Sequence, residues 1–130
     1  MAAIFEQSQL LGVVNHAAAN AGNRTGTGAV VIATGSAAPG THVDFLRVTA
    51  KATIAAPTNA RIYVKFSGTY YLQFTILIPQ WTIVIGERDV YTTLLALSPS
   101  IPLPSASYTL ETNQETTDSL DFTAFGENYV

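Results

Sequence analysis

The chain contains no cysteine and two histidines, and Asp, Glu, Lys and Arg make up only 12% of its 130 residues. Without cysteine there are no disulfides, no thiolate nucleophile and no Cys-ligated zinc. His16 and His42 are too few for an all-histidine metal site. Soluble domains average about 25% charged residues, whereas the apolar fraction here, 48%, is ordinary. Thr, Ser, Asn and Gln have therefore replaced charges rather than core residues. A surface poor in charge lacks the usual defence against association, and we read it as one to be covered by copies of itself or by a partner.

Other absences narrow the function classes. The net charge of −3 argues against a nucleic-acid binder, which carries a basic stripe. The apolar stretch Leu10-Leu11-Gly12-Val13-Val14 is far shorter than the ~20 residues of a membrane span. Residues 1–9 contain Glu6 and no basic side chain, so no export signal is expected, and the sequon Asn23-Arg24-Thr25 is read as chance. The charges are split along the chain. Arg24, Arg47, Lys51, Arg61 and Lys65 dominate up to Phe66, and Glu87, Asp89, Glu111, Glu115, Asp118, Asp121 and Glu127 dominate beyond it. Either the two halves interleave in one fold, or the subunit is polar and joins a basic face to an acidic one.

What is present reads as β-structure. In Leu46–Ile54, Leu46, Val48, Ala50, Ala52 and Ile54 alternate with Arg47, Thr49, Lys51 and Thr53, the period of a half-buried strand. Ala60–Phe66 places Ile62, Val64 and Phe66 inward and Arg61, Tyr63 and Lys65 outward. Ser67-Gly68-Thr69 reads as a tight turn into Tyr70–Ile78, where Leu72, Phe74, Ile76 and Ile78 oppose Tyr71, Gln73, Thr75 and Leu77. Further strands are expected at Ala29–Thr34, Trp81–Ile85, Val90–Leu97, Tyr108–Thr112 and Leu120–Phe125. The run Pro99-Ser100-Ile101-Pro102-Leu103-Pro104 lacks three backbone donors and is expected outside the sheets as a stiff connection. Eight short strands with no interior helix predict an all-β, antiparallel two-sheet β-sandwich, with a jelly roll as the expected topology. Residues 23–130 form this sandwich. Residues 1–22 form an N-terminal arm, either a short helix or an extended segment that supplies an edge strand.

The search for chemistry is mostly negative. There is no Gly-x-Ser-x-Gly elbow and no P-loop, and the glycine-rich Gly22–Gly28 precedes a strand rather than a helix, so it is read as a flexible lead-in. His42-Val43-Asp44 is the only close His/carboxylate pair. At i and i+2 of a strand the two side chains share a face, yet two ligands do not make a metal site and no nucleophile accompanies them. Glu87-Arg88-Asp89 reads as a solvated turn. Tyr70, Tyr71 and Trp81, with Tyr63 and Tyr91, suit either an interface or a sugar-stacking platform. No enzyme activity, cofactor, metal or small-molecule substrate is expected.

The order of segments is nonetheless familiar. Asn23–Gly28 precedes a short strand, Gly40-Thr41-His42-Val43-Asp44 leads into Leu46–Ala52, and Arg61-Ile62-Tyr63-Val64 is followed by Tyr70-Tyr71-Leu72. Leu103-Pro104-Ser105-Ala106-Ser107-Tyr108-Thr109-Leu110 and Phe122-Thr123-Ala124-Phe125-Gly126 close the chain. Over roughly residues 20–126 this resembles a family of small virion proteins of tailed phages, some of them capsid cement or decoration proteins. Members often have Leu-Pro-Ser-Gly where this chain has Leu103–Ala106, and Gly-Gly where it has Gly126-Glu127. The resemblance implies a jelly roll, a homotrimer on the outer surface of the virion capsid, and the major capsid protein as partner, with synthesis in the host cytoplasm. It supplies no catalytic residues. Within that reading Ile4, Phe5, Leu10, Leu11, Val13 and Val14 of the arm are the expected contacts with neighbouring subunits. The alternative is a fibre or spike module that binds glycan through Tyr70, Tyr71 and Trp81.

Overall fold

The computed structural model describes residues 9–20, 25–37, 39–82 and 91–128. Among them every regular element is a strand: β1 (Gln9–His16), β2 (Val30–Thr34), β3 (Thr41–Ala50), β4 (Thr58–Phe66), β5 (Thr69–Ile78), β6 (Thr92–Leu103), β7 (Tyr108–Gln114) and β8 (Leu120–Asn128). They form two antiparallel four-stranded sheets, ordered β1-β8-β3-β6 and β2-β7-β4-β5. The expected antiparallel two-sheet sandwich is therefore the observed fold. The core between the sheets holds Leu46, Val48, Phe122, Leu120, Ile62, Ile78 and Leu110, all fully buried. Basic β3 and β4 lie among strands of the second half of the chain, so the charge asymmetry along the sequence is dispersed in space.

Alternation places the inward residues correctly wherever the ladder is regular. Leu46, Val48 and Ala50 are buried as expected, but β3 ends at Ala50. Ala52 is exposed, and Ile54 regains the core through a bridge to Trp81. The turn after β4 is the two-residue kind, with positive φ at Ser67 (53°) and Gly68 (80°), which matches the twist of the hairpin. In β5 a register shift around Gln73 pairs Ile62 with Phe74 but Tyr63 with Leu72. Leu72 is thereby turned to the outer side and is exposed.

One expectation is corrected, and one left open takes a definite form in the described residues. The proline run does not lie outside the sheets: β6 extends through Pro99 and Pro102 to Leu103. It is the outermost strand of its sheet, where missing donors face solvent at little cost. Its register jumps from Phe45↔Ala96 to Val43↔Ile101, so Leu97–Ser100 bulge out opposite Asp44. The N-terminal arm, for its described part, takes the extended form: Gln9–His16 is an edge strand paired with β8. Residues 83–90, which include the end of the expected Trp81–Ile85 strand, Val90 and Glu87-Arg88-Asp89, lie outside the described residues, as do Ile4, Phe5 and 21–24.

β1 closes one side of the sandwich against β2. A Cβ on Gly12 would stand 2.0 Å from the Ile32 carbonyl oxygen of the opposite sheet, a contact with backbone that no side-chain rotation relieves. Gly12→Ala is therefore expected to cost at least about 1–3 kcal/mol, read as a loss of several degrees in Tm by circular dichroism.

Candidate functional site: a bare sheet face and a His–carboxylate cluster

The outer faces of the two sheets differ in kind. On the β2-β7-β4-β5 sheet, Arg61, Tyr63, Glu111 and Asn113 point away from the core, yet all are buried. Described residues on either side of 21–24, Asn20 and Thr27, reach over them. The Asn20 amide donates to the Gln114 carbonyl at 2.6 Å, Arg61 Nη1 donates to the Asn20 carbonyl at 3.3 Å, and Asn113 Nδ2 donates to the Thr27 carbonyl at 3.2 Å. Gly26, at φ +88°, lies so close to the Tyr70 ring that a Cβ would meet its Cγ at 2.2 Å. The described part of the glycine-rich lead-in, Thr25–Gly28, is thus a fitted cover rather than a loose tether.

Among the described residues, nothing covers the outer face of the β1-β8-β3-β6 sheet in the same way. Register aligns its outward side chains in rows. Leu10, Phe125, Phe45 and Ala96 form one row across all four strands, and Val13, Thr123, Arg47 and Leu94 form the next. Leu10, Val13 and Leu94 are about 60% exposed. The one charge in these rows, Arg47, has its guanidinium 5.3 Å from the centre of the Phe125 ring, which shields the aromatic face and keeps the charge partly engaged. The outer strands of a four-stranded sheet lie ~14 Å apart, so the first row is apolar across the whole face, and the second adds Val13 and Leu94 at its two ends around Thr123 and Arg47.

The interface residues expected from the sequence divide accordingly. Leu10 and Val13 share the open face because the ladder shifts register between Leu10 and Gly12. Leu11 and Val14 instead pack against the core. Leu94, Phe45 and Phe125 belong to the same face but are distant in sequence, and only the register reveals them.

The aromatic platform is not assembled. Tyr70 packs edge-on against Tyr63, with centroids 5.9 Å apart, under the Lys65 ammonium at 4.9 Å. Tyr71, the next residue of the strand, is turned to the other side and is exposed. Trp81 lies beyond the far end of β5, ~26 Å along the strand from Tyr70, against Tyr91 and the core. Three side chains so dispersed cannot stack on one sugar.

Two further features stand out. Between the β5 and β6 edges lies an open cleft of ≈ 670 Å³ whose lining includes Phe74, Ile76, Leu95, Leu97 and Ile101; its polar members are Gln73, Thr75, Thr93, Ser98 and Tyr91. Among the described residues its lining holds no carboxylate or imidazole. At the end of the open face, His42 Nε2 lies 3.4 Å from Asp44 Oδ2 and 3.6 Å from Glu127 Oε2. The His42–Asp44 proximity follows from their shared strand face, while Glu127 comes from β8, where it is the cross-strand partner of His42. Comparison with protein-family models, with curated proteins and with solved structures returned no match.

Proposed function

We propose that the chain is a non-enzymatic structural virion protein of the capsid cement type, whose copies associate and bind the assembled shell of the major capsid protein. The observation that carries this reading is the bare apolar row of the β1-β8-β3-β6 sheet, in a chain whose own residues cover the β7–β4 part of its other outer face. Large side chains left in water forgo about 1.5–3 kcal/mol each relative to full burial, so Leu10, Val13 and Leu94 favour a surface that is covered in use. The strand order supports the jelly-roll form implied by the family resemblance. β1 pairs with β8, β2 with β7, β3 with β6 and β4 with β5, so the chain is a single long antiparallel ribbon wound over two sheets.

A protein that binds only the assembled shell shifts assembly by mass action. A symmetric oligomer gains further by engaging several sites at once. Light scattering coupled to size exclusion is expected to give a mass near three times the 13.8 kDa chain, and the oligomer is expected to co-sediment with shells of the major capsid protein. A monomer that stays in the supernatant overturns the proposal. Deleting residues 2–15 is a poor probe, because it strips β1 from β8 and exposes a new sheet edge. Point substitutions on the open face separate association from folding.

A further inference from the structure

We propose that His42, Asp44 and Glu127 form a binding site for a zinc ion. The inference is independent of the virion reading. A zinc ion with bonds of about 2.0–2.1 Å holds tetrahedrally arranged ligand atoms ~3.3–3.4 Å apart. His42 Nε2 stands 3.4 Å from Asp44 Oδ2 and 3.6 Å from Glu127 Oε2, and the three candidate ligand atoms all lie within 4.8 Å of one another. Two distances are already those of a tetrahedral edge, and the carboxylate–carboxylate separation closes by side-chain rotation.

The fold builds this cluster through one irregularity. Asp44 is the extra residue of a bulge: β3 pairs with β8 as Val43↔Gly126 and then Phe45↔Phe125. Bulges re-aim side chains, and here His42 and Asp44 face outward together while the following Phe45 also joins the outer face. On the other side, the bulged Leu97–Ser100 segment of β6 brings Ser100 Oγ to donate to Asp44 Oδ1 at 2.5 Å. That bond occupies one carboxylate oxygen and leaves Oδ2 toward the imidazole, the outer-shell arrangement that orients metal ligands. β8 is held close at this point, since a Cβ on Gly126 would stand 2.0 Å from the His42 carbonyl oxygen.

Charge and chemistry select the ion. With neutral imidazole the cluster carries two negative charges, which a dication balances. Among the described residues neither carboxylate has a Lys or Arg ion pair. An imidazole nitrogen favours zinc over magnesium or calcium, which take oxygen ligands. The three side chains are 17, 23 and 30% exposed, which leaves the fourth position open to water.

The test is isothermal titration of the full chain with zinc chloride at pH 7, paired with NMR of the histidine side-chain nitrogens. One equivalent of zinc is expected to bind and to shift His42 Nε2 while the His16 ring is unchanged. Glu127→Gln is expected to weaken binding at least about tenfold, and Ser100→Ala about tenfold through loss of the outer-shell bond. No saturable binding, or a shift at His16 instead of His42, overturns the proposal. So does a folded Glu127→Gln protein that binds as tightly as the parent. Should Glu127→Gln fail to fold, the His42 signal of the unsubstituted chain decides alone.

Discussion

A chain carrying Val13→Asp and Leu94→Asp is expected to keep its fold and lose its self-association by more than about a hundredfold. Both side chains are about 60% exposed, so the charges cost little in the separate subunit. Val13 and Leu94 lie in one row on the two outermost strands of the sheet, joined through Thr123 and Arg47. A carboxylate at either end would be desolvated when the face is covered. Truncating a central interface side chain costs ≥ ~2 kcal/mol at hot spots, and an unpaired charge in a closing interface costs several. Light scattering reads the mass and circular dichroism the fold. The control is Leu77→Asp, which alters a side chain that is 65% exposed on the other sheet and is expected to leave the mass unchanged. Equal loss in both proteins would mean that the open face is not the interface. Undiminished association of the double variant would remove the observation on which the proposed function rests.

The limits of the sequence reading follow from what period-2 alternation encodes. It identifies inward residues along a straight strand, and Leu46, Val48, Ile62, Ile76 and Ile78 are all buried as the pattern requires. It carries no signal for a bulge, so Phe45 and Leu72 change sides unannounced. Proline at an edge strand and proline in a connection are identical in sequence, because only the sheet order tells which backbone donors are needed. This is why β6 was legible through Leu97 but not beyond. The candidate sites divide the same way. His42 and Asp44 are two residues apart and their proximity is local, whereas Glu127 is more than eighty residues away and reaches His42 only through register. The open face likewise joins Leu10, Phe45, Leu94 and Phe125 from four strands. Only its composition, a chain short of charge, was visible beforehand.

Removing one amide from beneath Asn20 and Thr27 is expected to cost more stability than any change on the open face. Asn113 is fully buried. Its Oδ1 accepts from Arg61 Nη1 at 3.2 Å and from the Tyr63 hydroxyl at 3.1 Å, while its Nδ2 donates to the Thr27 carbonyl at 3.2 Å. Asn113→Ala takes one hydrogen bond each from the Tyr63 hydroxyl, the Thr27 carbonyl and the buried Arg61 guanidinium. Arg61 keeps Glu115 Oε1 at 3.0 Å and the Asn20 carbonyl, so its charge stays paired and the penalty stops short of an isolated buried cation. A neutral hydrogen bond contributes about 0.5–1.5 kcal/mol and one to a charged group about 1.5–3 kcal/mol. A loss of about 3 kcal/mol is therefore expected, measured as a fall in the urea midpoint at unchanged m-value. Asn113→Asp separates charge from geometry. It retains both acceptor bonds, strengthens the one to Arg61, and sets a carboxylate oxygen against the Thr27 carbonyl. It is expected to weaken the cover while sparing the sheet, with amide hydrogen exchange accelerating at Asn20 and Thr27 but not in β4. If Asn113→Ala unfolds at the parent midpoint, the contacts of Asn20 and Thr27 over β7 and β4 contribute nothing to the sandwich.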